Sequence, residues 1–306
     1  MSQIVSKSGS MGSSKQERLI AISRMFSSSV VQELARKGRS PLFSNLFRIA
    51  HLSDSPAHIS RVADAYEVAF KYLKQEGARD EYVYKTALIH KILVGRHSLQ
   101  TASLLREFRV GECKADLAIL NGTSTVYEVK SERDTLIRLE RQVRAYRNVF
   151  ARVYVITAQC HEDEVLNSIP EDVGVLRLSS RFQISVVREA VHAPERTSPA
   201  CIFDSIRTEE ARMILLSSGI EVPEVPNTER SAMLREYFVK LEPRTAHGRM
   251  VDVLKKTRSQ ARLAHLLMQL PRSLQTAAIS VPLRKLDHSR LVAAVNTAIE
   301  DAMAWG

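Results

Sequence analysis

Two periodicities run along the chain, and the change from one to the other marks out its parts. Apolar residues recur at helical spacing from Gln16 to about Ala50, as Leu19, Ile22, Met25 and Phe26 and then Val30, Val31 and Leu34, with Gly38 and Pro41 as punctuation. A further helix is predicted from Pro56 to Gln75, with Pro56 near its first turn and Gly77 just past its end. Residues 80–94 keep the same period, with Asp80 and Glu81 at the positive end of that helix. After a loop from Gly95 to Thr101 the period drops to two. Leu104–Val110, Lys114–Asn121 and Thr123–Ser131 read as strands, the last two joined by an Asn121-Gly122 hairpin turn. A helix from Thr135 to Phe150 follows, with Asp134 as its N-cap, and then a buried strand at Arg152–Thr157. A short helix near Glu162–Ser168 and strands near Val173–Leu178 and Gln183–Glu189 complete an α/β unit. Beyond Pro194 the pattern is helical again, over 203–218, 228–241, 247–269 and 286–303.

Four parts are expected from this pattern: a Ser- and Gly-rich flexible tail over 1–14, an N-terminal helical region over 15–78, an α/β core over 79–190, and a helical C-terminal domain or cap over 200–306. Apolar content of 44% and charged content of 25% are ordinary for a globular protein, but a net charge of +10 with a pI near 9.6 is not. Such a surplus points to an anionic partner, nucleic acid before membrane. The first 75 residues hold 11 Lys and Arg against 5 Asp and Glu, which suits either a nucleic-acid-binding arm or a solvated helical face. There is no apolar run long enough for a transmembrane helix, and the N-terminus lacks the apolar core of a secretory signal. Cys113, Cys160 and Cys201 stand far apart, so neither a disulfide framework nor a structural zinc site is expected. A bacterial cytoplasmic location fits all of this.

Candidate chemistry concentrates in the strands. Alternation places Asp116 and Ala118 on one face of their strand, and Val126, Glu128 and Lys130 on one face of the next. A hairpin between them could bring Asp116 towards Glu128. Two carboxylates and a lysine on largely apolar strands are costly unless exposed, paired or bound to metal. Mg²⁺ would supply a partner that takes carboxylate, water and phosphate oxygens, beside which a lysine can orient an attacking water or stabilise developing charge. On the helix that follows, Arg138, Gln142 and Tyr146 form one stripe at i, i+4 and i+8, with Arg133, Arg141, Arg144, Arg147 and Arg152 around it. By themselves, an Asp and a Glu-x-Lys also suit a solvated hairpin carrying an ordinary ion pair.

The order strand–Asp116–hairpin–Glu128-x-Lys130–helix with Gln142-x-x-x-Tyr146 resembles the PD-(D/E)XK, or restriction-endonuclease-like, nuclease superfamily. Within it, ECKADLAILNG followed by YEVKSERDTLIRLERQVRAYRNVFARVYVI is similar to a bacterial family of small nucleases carrying (R/K)xD, YE(V/I)KS and DTLxRLxxQxxxY motifs. The resemblance spans residues 80–180 or so and implies an α/β fold: an αβββαβ core with a mixed central sheet, plus helical N-terminal and C-terminal additions. It implies Asp116, Glu128 and Lys130 as catalytic residues, and Gln142 and Tyr146, with Arg138, as substrate-positioning ones. Glu107 is expected as the fourth member of the site, with Glu81 of the preceding helix as its competitor. Asp116, Glu128, Glu107 and the Val129 carbonyl would hold Mg²⁺ or Mn²⁺. Ala115 stands where the superfamily label has proline.

The expected function is thus a metal-dependent phosphodiesterase acting on DNA, in phage defence or mobile-element biology. The alternative is a catalytically silent protein of the same fold that binds DNA or scaffolds a complex. Expected partners are nucleic acid, a protein docked on the helical flanks and a second copy of the chain. Other constellations carry less. His161-Glu162-Asp163-Glu164 reads as an acidic helix N-terminus, and His90, His97, His247 and His265 show no ligand spacing. Lys255-Lys256-Thr257-Arg258 reads as a solvated face, and no phosphate-binding GxxxxGK[ST] loop is present.

Overall fold

The computed structural model describes residues 6–75, 77–94 and 101–306, with side chains from Lys15 onward and not at 92–94. The loop expected over 95–101 lies outside the described residues apart from Thr101. The fold divides into two compact units, Met1–Thr86 with Leu263–Gly306, and Ala87–Arg262.

The first unit opens with α1 (Ser6–Met25), α2 (Ser28–Lys37), α3 (Pro41–Ile49), α4 (Val62–Leu73) and α5 (Glu81–Leu88). Helix α1 starts inside the stretch expected to be a tail, of which only 1–5 fall outside the described residues. Once a turn exists, each added residue gains a hydrogen bond without a new nucleation cost, so Ser and Gly can extend it. Helix α4 starts at Val62, six residues later than Pro56 suggests. Asp64 sets that start by accepting from the backbone N–H groups of Arg61 at 2.9 Å and Ser60 at 3.2 Å.

The second unit carries the sheet: β1 (Ser103–Val110), β2 (Cys113–Leu120), β3 (Ser124–Lys130), then α6 (Leu139–Arg147), β4 (Arg152–Thr157), α7 (Glu162–Ser168), β5 (Gly174–Leu178) and β6 (Ile184–Arg188). Spatial order equals chain order. The pairs β1–β2, β2–β3 and β5–β6 are antiparallel, and β3–β4 and β4–β5 are parallel. The fold is therefore mixed α/β, with helices α6 and α7 making the parallel crossovers. Four more helices follow: α8 (Pro199–Ser205), α9 (Thr208–Ser217), α10 (Asn227–Phe238) and α11 (Pro243–Thr257). Their Phe203, Ile214, Phe238 and Met250 share one core with Val126, Val143 and Val153 of the sheet and α6. Buried Glu210 ties α9 to the end of α11, accepting from Arg258 at 2.8 and 2.6 Å and from the Thr257 hydroxyl at 3.0 Å. Arg258 in turn lies over the Phe108 ring.

After that turn, α12 (Ala264–Gln269), α13 (Arg272–Ser280), α14 (Lys285–Asn296) and α15 (Ile299–Met303) rejoin the first unit. The single C-terminal domain expected over 200–306 is thus divided at Arg262, and the helix expected over 247–269 is broken where Arg258 turns to Glu210. Packing explains the division. Phe26, Phe43, Tyr66 and Tyr82 form an aromatic core in which Trp305 stands 6.1 Å from Phe43. The Tyr82 hydroxyl donates to the Ser273 carbonyl at 2.5 Å, and Glu67 accepts from the Ser273 N–H and hydroxyl. No helix among the described residues is long and apolar enough to cross a membrane.

One buried polar contact fastens α11 to the sheet. The Ala151 N–H donates to Ser124 Oγ at 3.1 Å, and the same Oγ is hydrogen-bonded to His247 Nε2 at 2.8 Å. Burial, then the charge of His192, pushes the His247 imidazole down from 6.5 to about 4. The folded state keeps this ring neutral where the unfolded chain protonates it. Stability should therefore be complete above 6.5 and fall as the pH drops from 6.5 towards about 4. Urea denaturation across that range should show a flatter acid limb for His247→Gln than for the wild type; an unchanged limb contradicts the assignment.

Candidate active site

The site is built where the β2–β3 ladder opens. Leu120 pairs with Ser124, so the connection has three residues, Asn121 to Thr123, and not the two expected from Asn121-Gly122 alone. Gly122 sits at φ +67°, a conformation that favours glycine. The extra residue sets the face. With a two-residue turn Asp116 would stand opposite Tyr127; with three, Leu117 pairs with Tyr127 and Asp116 is one step on, level with Glu128. There the backbones part, and Asp116 Oδ2 accepts from the Val129 N–H at 2.8 Å in place of a ladder bond. Val129 is otherwise buried in the strand.

Glu128 and Lys130 are 2% and 4% exposed. The Gln142 amide bridges them: its N–H₂ donates to Glu128 Oε1 at 2.5 Å, while its oxygen accepts from Lys130 Nζ at 2.9 Å. Tyr146 OH stands 2.9 Å from Glu128 Oε2 and 2.9 Å from the Lys114 carbonyl. Lys130 Nζ lies 3.2 Å from Glu128. Burial pushes the Glu128 carboxyl up, against the pull of Lys130, Tyr146 and Gln142. Burial and the Glu128 charge push the Tyr146 phenol well above its usual range, so it remains a donor. Four of the expected residues thus form one connected network.

Helix α6 begins at Leu139, not Thr135. Asp134 does not cap it; its carboxylate accepts from the Ser131 N–H at 2.8 Å and the Ser131 hydroxyl at 2.6 Å. Asp side chains favour such local turns, and this one holds the end of β3 beside Lys130. Arg138 therefore precedes the first helical turn and is exposed, while Gln142 and Tyr146 point at the strands.

Glu107 lies in β1 between the pairs Arg106–Leu117 and Phe108–Ala115, which puts it level with Asp116. Its φ of +52° is uncommon for a side-chain-bearing residue. Leu105 and Phe108 enter the same core although three positions apart, as do Ala115 and Ala118. The alternation changes phase at Glu107 and Asp116, and the positive φ accommodates it. Oxygens of these two carboxylates lie within 4.8 Å of each other. That separation suits one divalent cation with ligand distances of about 2.0–2.6 Å. Here Glu107 instead pairs with the Lys114 ammonium at 2.5 Å. Glu107, Asp116 and Glu128 occupy successive strands at one level of the sheet, but it is the oxygens of Glu107 and Asp116 that lie within 4.8 Å of each other; those of Glu128 are taken up by Gln142 and Tyr146. Glu81 belongs to α5 of the other unit and pairs with Lys85 of its own helix. Sequence reasoning missed Lys114; its cross-strand position relative to Glu107 becomes visible only with the register.

The model of the family described as bacteriophage P4 protein cII matches residues 74–279. The chain belongs to that family. Its members include protein cII of Enterobacteria phage P4, 34% identical over 111 residues, which make up 34% of this chain and 42% of the relative. The chain thus aligns with less than half of that relative's length. No solved structure matches it. The family match covers all of the network described above, from Glu107 to Tyr146.

The network also carries stability. Tyr146→Phe should leave Glu128 Oε2 without its hydroxyl donor and lower unfolding free energy by about 1–3 kcal/mol. Chemical denaturation checks this; a loss below ~0.5 kcal/mol would mean the bond contributes little.

Proposed function

We propose that this family member is a metal-dependent nuclease whose restriction-endonuclease-like core includes β1–β2–β3–α6–β4. The observation that carries this reading is the convergence of Asp116, Glu128, Lys130, Gln142 and Tyr146 at the opening of the β2–β3 ladder. Asp116, Glu128 and Glu107 are the residues that would hold the cation, with the Val129 carbonyl beside them. A bound Mg²⁺ or Mn²⁺ supplies a polarised phosphate and a water of lowered pKa. Lys130, held by Gln142, orients that water or neutralises charge growing on the phosphate. Tyr146 fixes the Glu128 carboxylate. Arg138, exposed just before α6, takes the substrate backbone. Water oxygen bonds to phosphorus, the bond to the 3′ oxygen breaks, and a 5′ phosphate and a 3′ hydroxyl result. DNA is the proposed substrate: the chain carries ten net positive charges, and its family is named for a bacteriophage protein, which agrees with a mobile-element setting.

A second reading has its own support. Glu128 and Lys130 are almost fully buried and already hydrogen-bonded, as in a protein that keeps the fold to bind DNA or scaffold a complex without cutting. Incubation of the full chain with supercoiled and linear DNA separates the two. The nuclease reading expects Mg²⁺- or Mn²⁺-dependent cleavage, reduced about a hundredfold or more by Asp116→Ala, Glu128→Ala or Lys130→Ala. Metal-independent binding that survives Glu128→Ala, with no cleavage by the wild type, would establish the second reading.

A further inference from the structure

The arginines around α6 fall into two sets. Arg144 pairs with Glu140 at 2.6 Å and Arg147 with Asp172 at 3.0 Å. Arg138 and Arg141 are exposed and form no ion pair among the described residues. Beside Arg138, and one helical turn before Arg141, stands Ile137. It is 88% exposed, the most of any large apolar side chain among the described residues.

This exposure is built into the turn. Leu136 packs against the core, the Leu139 N–H donates to the Leu136 carbonyl at 2.9 Å, and the Gln142 N–H donates to the Arg138 carbonyl at 3.0 Å. The backbone on both sides of Ile137 is thereby held, and a β-branched side chain adds stiffness at χ1. A protein interface needs a broad apolar patch, whereas Ile137 has exposed Thr135, Arg138 and Arg141 close to it in the chain. A single apolar tip flanked by free guanidinium groups fits a partner with paired phosphates and a stacked apolar interior. That partner is duplex nucleic acid.

We propose that Ile137 is a wedge that enters a base step of a duplex, with Arg138 and Arg141 on the flanking phosphates. In the setting of the proposed nuclease, on which this role rests, the wedge would lodge the duplex beside Lys130 and Gln142. The structural consequence is a local unstacking of bases near the turn.

The test uses the full chain in EDTA, so that binding is read apart from cutting, with a duplex carrying 2-aminopurine. Wild type should raise the 2-aminopurine fluorescence. Ile137→Ala and Ile137→Ser should abolish that rise and weaken duplex affinity about tenfold, with thermal melting and affinity for the single strand unchanged. Arg138→Ala or Arg141→Ala should lower the slope of log affinity against log salt by about one. The wedge is overturned if the wild type binds no duplex, if Ile137→Ala binds it with wild-type affinity and signal, or if Ile137→Ser alters only the oligomeric state in sedimentation. A chain that shows the wedge signature but never cuts removes the nuclease reading alone. One that cuts normally with Ile137→Ala and shows no unstacking removes the wedge alone.

Discussion

A carboxylate in the buried middle of a sheet needs partners, and meeting that need organises the second unit. Glu128 sits on β3 with the apolar residues of α6 and the sheet packed around it. Left alone, its charge would cost several kcal/mol, or the group would take up a proton. The chain instead brings an amide, a phenol and an ammonium to it, all within 3.2 Å. Gln142 and Tyr146 are four residues apart on α6, so one helical face serves both carboxylate oxygens. The docking of α6 on the sheet and the geometry of the site are therefore one arrangement.

A second constraint lies in the hairpin. The three-residue connection through Gly122 sets which residues of β2 and β3 stand level, and the left-handed Glu107 lets β1 keep its pairing while the alternation of core positions shifts. Local strain of this kind persists only where the surroundings over-determine it, and it gathers at sites with a task. Here the unusual backbone and the interrupted ladder meet at the same level of the sheet, where three acids stand on three adjacent strands.

Much of this was legible in the sequence, because periodicity carries it. Alternation put Glu128 and Lys130 on one face, and the i, i+4 spacing put Gln142 and Tyr146 on another that had to meet it. The register was not legible, since Asn-Gly signals a turn but does not fix whether it has two residues or three. The start of α6 was hidden because Asp134 serves a helix cap and a local turn equally well, and the turn with Ser131 won. Glu107 gave no sign of a positive φ, a conformation that glutamate rarely takes. The return of residues 263–306 to the N-terminal helices depends on contacts such as Phe43 with Trp305, which no local pattern announces. Arg138 lies before the helix, and so became part of an exposed turn with Ile137.

The proposed nuclease reading requires Glu107, Asp116 and Glu128 to hold one cation together. Calorimetric titration of the full chain with Mn²⁺ tests it directly, apart from any substrate. The account predicts a stoichiometric binding event that is weakened strongly by Asp116→Asn or Glu128→Gln and persists in Lys130→Ala. Mn²⁺ binding that is indifferent to both carboxylate substitutions, or absent from the wild type, would contradict it.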